Sequence, residues 1–242
     1  MASFKELITF YKLARQRSKS LENYLVFQKY QAELLVKDFQ RRGINLKKLK
    51  VLELGCGKGG YSSVFKQAAG ELVVADLKIS EDLITAQPDL QYLEFDFNQP
   101  FPLADNSFDL VLCFSVIEHL PDPLKMLKEI KRILKADGIL ILTWPPFYSL
   151  AGGHSVKPFH YLGEKLAIKI TNYLRGRDIK SYSTMYGSYG LYPLTIRRGK
   201  QLIKKSGLKI IDQAIRFFPL NLAKIPLINE FLTWHLNLYC RK

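Results

Sequence analysis

The segment Lys50-Val51-Leu52-Glu53-Leu54-Gly55-Cys56-Gly57-Lys58-Gly59-Gly60 joins an apolar run to a glycine-rich turn. Val51, Leu52 and Leu54 are typical of a strand buried in a parallel sheet. The glycines end that strand and form a turn in which no Cβ blocks a ligand. Residues 61–69 read as a helix, whose free N-terminal N–H groups would face the same turn. The segment therefore predicts a strand, a ligand-binding turn and a helix.

Two classes of cofactor fit this turn. The spacing Gly55-x-Gly57-x-x-Gly60 matches the fingerprint of dinucleotide-binding proteins, which alone is weak evidence. The spacing Glu53-x-Gly55-x-Gly57-x-Gly59 resembles that of class I S-adenosylmethionine-dependent methyltransferases. The carboxylate of Glu53 suits the ammonium of a methionine moiety and would repel a pyrophosphate. A phosphate-binding P-loop is excluded because no Gly-Lys-Ser/Thr follows. The turn therefore favours S-adenosylmethionine as the cofactor.

Later segments extend the resemblance to these methyltransferases. Residues 71–76 read as a second buried strand ending at Asp76, about twenty residues beyond Gly55, where such folds hydrogen-bond a ribose diol. In the family an aspartate after the third strand accepts from the adenine amino group, and Asp96 matches it. Residues 107–120 contain Phe-Asp-Leu-Val and Glu-His-Leu, the second family signature, and place Ser115 beside the methionine end. The resemblance thus predicts these cofactor-binding residues: Glu53, Gly55, Cys56, Gly57, Asp76, Leu77, Asp96, Phe97 and Ser115.

The resemblance implies an α/β fold with a Rossmann-like, seven-stranded, doubly wound sheet. We expect one domain, because no repeat or low-complexity linker interrupts the chain. Within it we expect a helical N-terminal cover (1–46), a cofactor-binding core (47–146), an insertion after the fifth strand that covers the acceptor (147–192) and a C-terminal part of the sheet (193–242). The family motifs lie within 50–145; the C-terminal part follows by topology only.

Two helices are predicted before the core. The first, in residues 1–20, has Phe4, Leu7, Ile8 and Tyr11 at helical spacing on an otherwise basic surface. That apolar face either packs on its own domain, which is commoner, or lies on anionic lipid. The second helix, residues 21–42, matches family helices that cover the cofactor, often with an aromatic side chain. The candidates there are Tyr24, Phe27 and Tyr30.

Histidines are the candidates for a catalytic base, since imidazole titrates near neutrality. His154 and His160 lie in the predicted insertion, and His119 belongs to the Glu-His-Leu motif. Each could instead have a structural role. His154 and His160 could also join Glu118 or Asp122 in binding a metal, but we expect none, because no His-x-x-x-His pair on a helix supports one.

Composition limits the partners. The formal net charge is +14, which favours an anionic partner or a solvated basic surface. The chain has three cysteines, none of them in a C-x-x-C pair, and it shows no signal peptide or membrane span. These features favour a cytoplasmic location. Peripheral contact with an anionic membrane is left open. No Asn/Asp-Pro-Pro-Tyr/Phe motif follows the fourth strand, so nucleic acid is the less favoured acceptor. We expect methylation of an oxygen or carbon of a small metabolite, glycan or lipid-like acceptor. The alternatives are an RNA-directed methyltransferase and a non-catalytic S-adenosylmethionine-binding protein.

Overall fold

The computed structural model describes residues 3–187, 189–217, 221–225 and 228–242, and these form one sheet with helices on both faces. The sheet order is β3-β2-β1-β4-β5-β7-β6, with β7 antiparallel to both of its neighbours and the other pairs parallel. The strands are β1 (Lys50–Leu54), β2 (Glu71–Asp76), β3 (Gln91–Glu94), β4 (Phe108–Phe114), β5 (Leu134–Trp144), β6 (Lys209–Ile215) and β7 (Leu236–Arg241). The helices are α1 (Phe4–Gln16), α2 (Leu21–Arg41), α3 (Ser62–Ala68), α4 (Glu81–Ala86), α5 (Pro123–Ile133), α6 (Glu164–Arg175), α7 (Ile196–Ser206) and α8 (Asn229–Leu232). The predicted seven-stranded, Rossmann-like fold is confirmed.

The central strands carry the core because both of their faces are covered. Successive residues of β1 contribute to opposite faces: Leu52 and Leu54 pack with α5 and α7, while Val51 packs with α2 and α3. Such two-sided burial explains the continuous apolar runs that the sequence shows. Asp109, at the amino end of β4, accepts a hydrogen bond from the Lys50 backbone N–H at 2.9 Å and pairs with Lys135, and so has a structural role.

Several element ends differ from those that the sequence predicts, which are 92–97 for the third strand, 139–144 for the fifth and 233–239 for the last. β3 ends at Glu94 and not at residue 97, because Asp96 accepts from the Asn98 N–H and turns the chain. β5 begins directly after α5, at Leu134, and bulges against β4 before Ile139. The last strand was predicted at 233–239 and lies at Leu236–Arg241. The apolar, partly helical stretch predicted at 219–230 includes residues 219, 220, 226 and 227, which lie outside the described residues, and a short α8 begins at Asn229, near its end.

The first helix packs through a face other than the one predicted. Phe10 is buried against Phe27 and Trp234. Phe4, Ile8 and Tyr11 are exposed, by 79%, 42% and 58% respectively. The helical spacing alone does not show which face of α1 is buried, because that depends on where the aromatic partners lie in the fold. In the described part of the chain, no helix has both the length and the apolar character needed to cross a membrane.

The insertion after β5 has a small core of its own. Phe147, Val156, Ile168 and Tyr182 form its centre, and α6 lies across them. Its far end is tied to the turn after β4, where the Tyr192 N–H donates to the carbonyl oxygen of Glu118 at 2.8 Å. The insertion therefore closes over the carboxyl ends of the strands.

Candidate cofactor and acceptor site

A cavity of about 1040 Å³ opens at the carboxyl ends of β1, β2 and β4. Ligands of open α/β sheets bind at this edge. All nine residues predicted to bind the cofactor line it: Glu53, Gly55, Cys56, Gly57, Asp76, Leu77, Asp96, Phe97 and Ser115. A smaller cavity of about 460 Å³ lies at the opposite edge, beside the strand starts Lys50 and Phe108, away from the glycine turn. The structure thus brings the predicted residues together, while their individual roles stay predictions.

The turn requires glycine at positions 55 and 57 for two different physical reasons. Gly55 has a φ of +82°, and a Cβ there would collide with the side chain of Val116. Gly57 has a φ of +54°, and a Cβ there would meet nothing within 4 Å. Gly55 therefore permits close packing of β1 on the turn after β4. Gly57 leaves its face open towards the cavity, where a ligand can approach the backbone.

Glu53 supplies a buried carboxyl group at the bottom of the cavity. Only 1% of the residue is exposed, and its Oε2 has no hydrogen-bond partner within the described residues. Burial raises the pKa of Glu53 to about 7, and the negative charge of Asp76 adds to that rise. An orphaned buried oxygen of this kind fits an ammonium group of a ligand.

Asp76 and Asp96 follow the adjacent strands β2 and β3. Asp76 accepts from the N–H groups of Gly57 at 2.8 Å and of Leu77 at 2.7 Å. It is not the cap of α4, since the hydroxyl of Ser80 accepts from that helix. Both carboxylates face the cavity at the positions expected for ribose and adenine contacts.

Helix α2 covers the cavity through two of the three predicted aromatic residues. Tyr24 and Phe27 line the cavity. Tyr30 faces α1, where its hydroxyl donates to the carbonyl oxygen of Glu6 at 3.1 Å. Tyr24 and Phe27 thus remain the candidates for covering the cofactor.

Two of the three candidate bases reach the cavity. His119 and His154 line it, with ring centroids 5.2 Å apart. Burial lowers the pKa of both imidazoles, that of His154 to about 4, so both are neutral near pH 7. His160 does not reach the cavity: it is 2% exposed and packs edge-on against Phe147.

Glu118 lies beside this end of the cavity, where sequence reasoning considered it only as a metal partner of His154 and His160. Its Oε1 is 3.8 Å from Nε2 of His154. It is 2% exposed, and burial raises its pKa to about 8. Its place in the Glu-His-Leu motif was the available signal.

Sequence reasoning missed the cationic side chains on the cavity wall. Arg216 follows β6, is 2% exposed, and donates from Nη2 to the hydroxyl of Tyr61 at 2.6 Å. Arg17, directly after α1, and Lys157, in the insertion, line the same cavity. His235 precedes β7 and lines it too, and its carbonyl oxygen accepts from the Arg216 N–H at 2.9 Å. No motif marks these residues, because three separate parts of the chain bring them together.

The sheet order, the glycine turn and the acidic residues define a nucleoside-binding fold of the class I methyltransferase type. The residues fit S-adenosylmethionine on two structural observations: the open face of Gly57 and the orphaned oxygen of Glu53. When bound, that cofactor supplies an electrophilic methyl group on a sulfonium.

Known proteins resemble the chain in the same way. Residues 52–142 match the family described as "Methyltransferase domain". An uncharacterized methyltransferase of Mycobacteroides abscessus is 29% identical over 212 residues, covering 84% of this chain and 80% of that protein. A protein of Mycolicibacterium smegmatis described as a probable S-adenosylmethionine-dependent methyltransferase is 27% identical over 172 residues, covering 68% of this chain and 65% of its own.

Solved structures share the fold. An S-adenosylmethionine-dependent methyltransferase from Mesorhizobium loti superposes with a TM-score of 0.56 at 19% identity, covering 80% of this chain and 91% of that one. A second such enzyme, from Archaeoglobus fulgidus, gives a TM-score of 0.51 at 18% identity, covering 87% and 94%. The family match, the relatives and the shared fold together support a class I S-adenosylmethionine-dependent methyltransferase.

Proposed function

We propose that the enzyme methylates an oxygen or carbon of a small amphiphilic acceptor that carries an anionic group. The observation that supports this is the wall of the cavity beyond the cofactor residues. It combines aromatic side chains with cations, in the set Arg17, Lys157, Tyr186, Tyr189 and Arg216. Aromatic faces suit the apolar part of an acceptor, and the cations suit its charged part.

Nearby carboxylates of the described residues do not neutralise the cations of this wall. Burial lowers the pKa of Lys157, and the positive charges of Arg17 and Arg175 lower it further. Within the described residues, no carboxylate lies within ion-pairing distance of Arg216 or Lys157. An acceptor carboxylate or phosphate would relieve this repulsion, which is the physical reason for proposing an anionic acceptor.

The protein's part in the reaction is to hold and enclose the reactants. Methyl transfer is an in-line displacement, and a held geometry replaces a bimolecular encounter. Glu53 and the glycine turn orient the methionine end, while α2 and the insertion exclude water above it. His119 and His154 face the acceptor space and are the candidates for accepting its proton if the reacting atom is a hydroxyl oxygen.

The test is a labelling experiment with fractionated extract. The protein and methyl-labelled S-adenosylmethionine are incubated with organic-extractable, aqueous small-molecule and RNA fractions, and the labelled product is identified by mass spectrometry. We expect label in an acidic, organic-extractable or small-molecule product. Label confined to RNA would overturn the proposal and favour the RNA-directed alternative.

A pair of lysine variants sharpens this test. Lys157→Gln should lower kcat/KM for the acceptor at least tenfold and leave S-adenosylhomocysteine affinity unchanged. Lys169→Gln is the matched control, since Lys169 is an exposed lysine of α6 in the same insertion. Equal kcat/KM values for the two variants would argue against an anionic group beside Lys157.

We further propose that α1 contacts an anionic membrane surface. Phe4, Ile8 and Tyr11 form an exposed apolar stripe, and Lys5 and Lys12 flank it on the same helix. An exposed apolar stripe bordered by lysines is the pattern of helices that lie in a membrane interface. Each basic residue near anionic lipid contributes about 1 kcal/mol, so a few suffice for reversible attachment.

Vesicle flotation tests the membrane proposal. The protein should float with anionic vesicles at low salt, and less with neutral vesicles or at high salt. Phe4→Ser combined with Ile8→Ser should reduce flotation, whereas Tyr173→Ser should not, because Tyr173 is an exposed aromatic residue on α6. Equal recovery with both vesicle types, or with none, would contradict the proposal.

A further inference from the structure

Glu118, His119 and His154 form a compact group of potential metal ligands beside the cavity, and the two histidines line its wall. One ligand atom from each residue lies within 4.8 Å of the other two. Glu118 and His119 come from the turn after β4, and His154 comes from the insertion. The spacing of the histidines in the sequence does not predict this group. His119 and His154 are 35 positions apart in the chain, and only the fold brings them together.

The hydrogen bonds of the two imidazoles leave one nitrogen of each ring available. Nδ1 of His119 is 2.7 Å from the carbonyl oxygen of Gly190, and Nδ1 of His154 is 3.0 Å from that of Gly152. A carbonyl oxygen only accepts, so each Nδ1 carries the hydrogen and donates. The lone pair of each neutral ring is then on Nε2. Metal-binding histidines show this arrangement, in which the second nitrogen donates to a carbonyl and fixes the ring.

The carboxylate of Glu118 lacks the partners that a buried charge needs. Neither of its oxygens accepts a hydrogen bond within the described residues, although the side chain is almost fully buried. No lysine or arginine of the described chain pairs with it, and its nearest basic atom is Nε2 of His154. An isolated carboxylate in such surroundings is costly, and a coordinated cation removes the cost.

We propose that Glu118, His119 and His154 bind one divalent first-row transition-metal ion at the cavity wall. Two imidazole nitrogens and one carboxylate suit Zn²⁺, Fe²⁺ or Ni²⁺ better than Mg²⁺ or Ca²⁺, which prefer oxygen ligands. Three protein ligands also leave coordination positions open, as in catalytic metal sites. With an ion bound, the two imidazoles would act as ligands and could not accept a proton, so the base role proposed above would apply to the metal-free enzyme.

The test measures Zn²⁺ binding independently of methyl transfer. The untagged full chain is treated with a chelator, dialysed and titrated with Zn²⁺ by calorimetry, and substitution by Co²⁺ is followed by visible absorption. We expect one Zn²⁺ per chain and a Co²⁺ spectrum with ligand-field bands. Glu118→Gln and His154→Ala should each weaken Zn²⁺ binding at least tenfold.

Controls separate loss of the site from loss of the fold. His235→Gln is the matched control, because His235 lines the same cavity outside the ligand group. S-adenosylhomocysteine affinity and circular dichroism report folding of each variant, and binding of S-adenosylhomocysteine is tested without the metal. A wild-type chain that binds no Zn²⁺, or Glu118→Gln and His154→Ala variants that bind it as the wild type does, would overturn the proposal.

Discussion

Glu53→Gln should remove the pH dependence of cofactor affinity. Burial raises the pKa of Glu53 to about 7, so the side chain is mainly neutral below that pH in the ligand-free enzyme. The ammonium of S-adenosylhomocysteine favours the ionised carboxylate. Binding at low pH therefore includes release of a proton from Glu53, and affinity should fall as pH falls below 7.

The size of this effect follows from the ionised fraction. With a pKa of 7, the ionised fraction of Glu53 is about 3% at pH 5.5 and about 76% at pH 7.5. The dissociation constant should therefore fall by about 25-fold between those pH values, equivalent to about 1.9 kcal/mol. A glutamine keeps the shape of the side chain and cannot ionise, so the variant should bind weakly and with a flat profile.

Calorimetry in two buffers of different protonation enthalpy checks both parts of this prediction. The buffer dependence of the heat measures proton release directly, and the dissociation constant is measured at half-unit intervals of pH. Asp109→Asn is a suitable control for the loss of one carboxylate, because Asp109 lies at the opposite end of β4. A wild-type constant that is flat between pH 5.5 and 7.5, or the same slope in Glu53→Gln, would refute the assignment of Glu53 to the ammonium.

Three further outcomes follow from the site and the core. Gly57→Val should abolish S-adenosylhomocysteine binding in calorimetry, because a branched side chain would enter the open space beside the turn. Asp76→Ala and Asp96→Ala should each weaken that binding by about 1–3 kcal/mol in a protein that is still folded by circular dichroism, although each also loses backbone hydrogen bonds and should unfold at a lower temperature; unchanged affinity in the folded variants would assign them a local backbone role. Asp109→Ala should lower the free energy of unfolding by about 1–2 kcal/mol in urea, through loss of the Lys50 N–H bond, without changing cofactor affinity.

The sheet and the cofactor edge could be predicted because short-range patterns encode them. A buried parallel strand needs an unbroken apolar run, as in β1 and β4, and each run ends where the chain emerges at the ligand edge. The acidic residues Glu53, Asp76 and Asp96 stand at or just after the ends of β1, β2 and β3, so their sequence positions already place them together. The apolar run of each strand and the position where that run ends are enough for such a prediction.

The acceptor end could not be predicted in the same way. The insertion has no regular period, and backbone bonds such as Tyr192 N–H to the Glu118 carbonyl hold it in place. Backbone hydrogen bonds of this kind do not depend on particular side chains, so the sequence shows no pattern for them. The same limit explains why His160 was grouped with His154: they are six residues apart in sequence, yet one faces Phe147 and the other faces the cavity.

The distribution of charge around the cavity favours release of the products. Carboxyl groups of Glu53, Asp76 and Asp96 lie on the cofactor side, and the cations Arg17 and Lys157 lie on the wall proposed for the acceptor. S-adenosylmethionine carries a positive sulfonium that S-adenosylhomocysteine lacks, so transfer removes the charge that the acidic side attracts. If the reacting oxygen is anionic, its methylation also removes the charge that the basic side attracts. Both products are then held less tightly than the reactants, because each has lost the charge that faced its own side of the cavity.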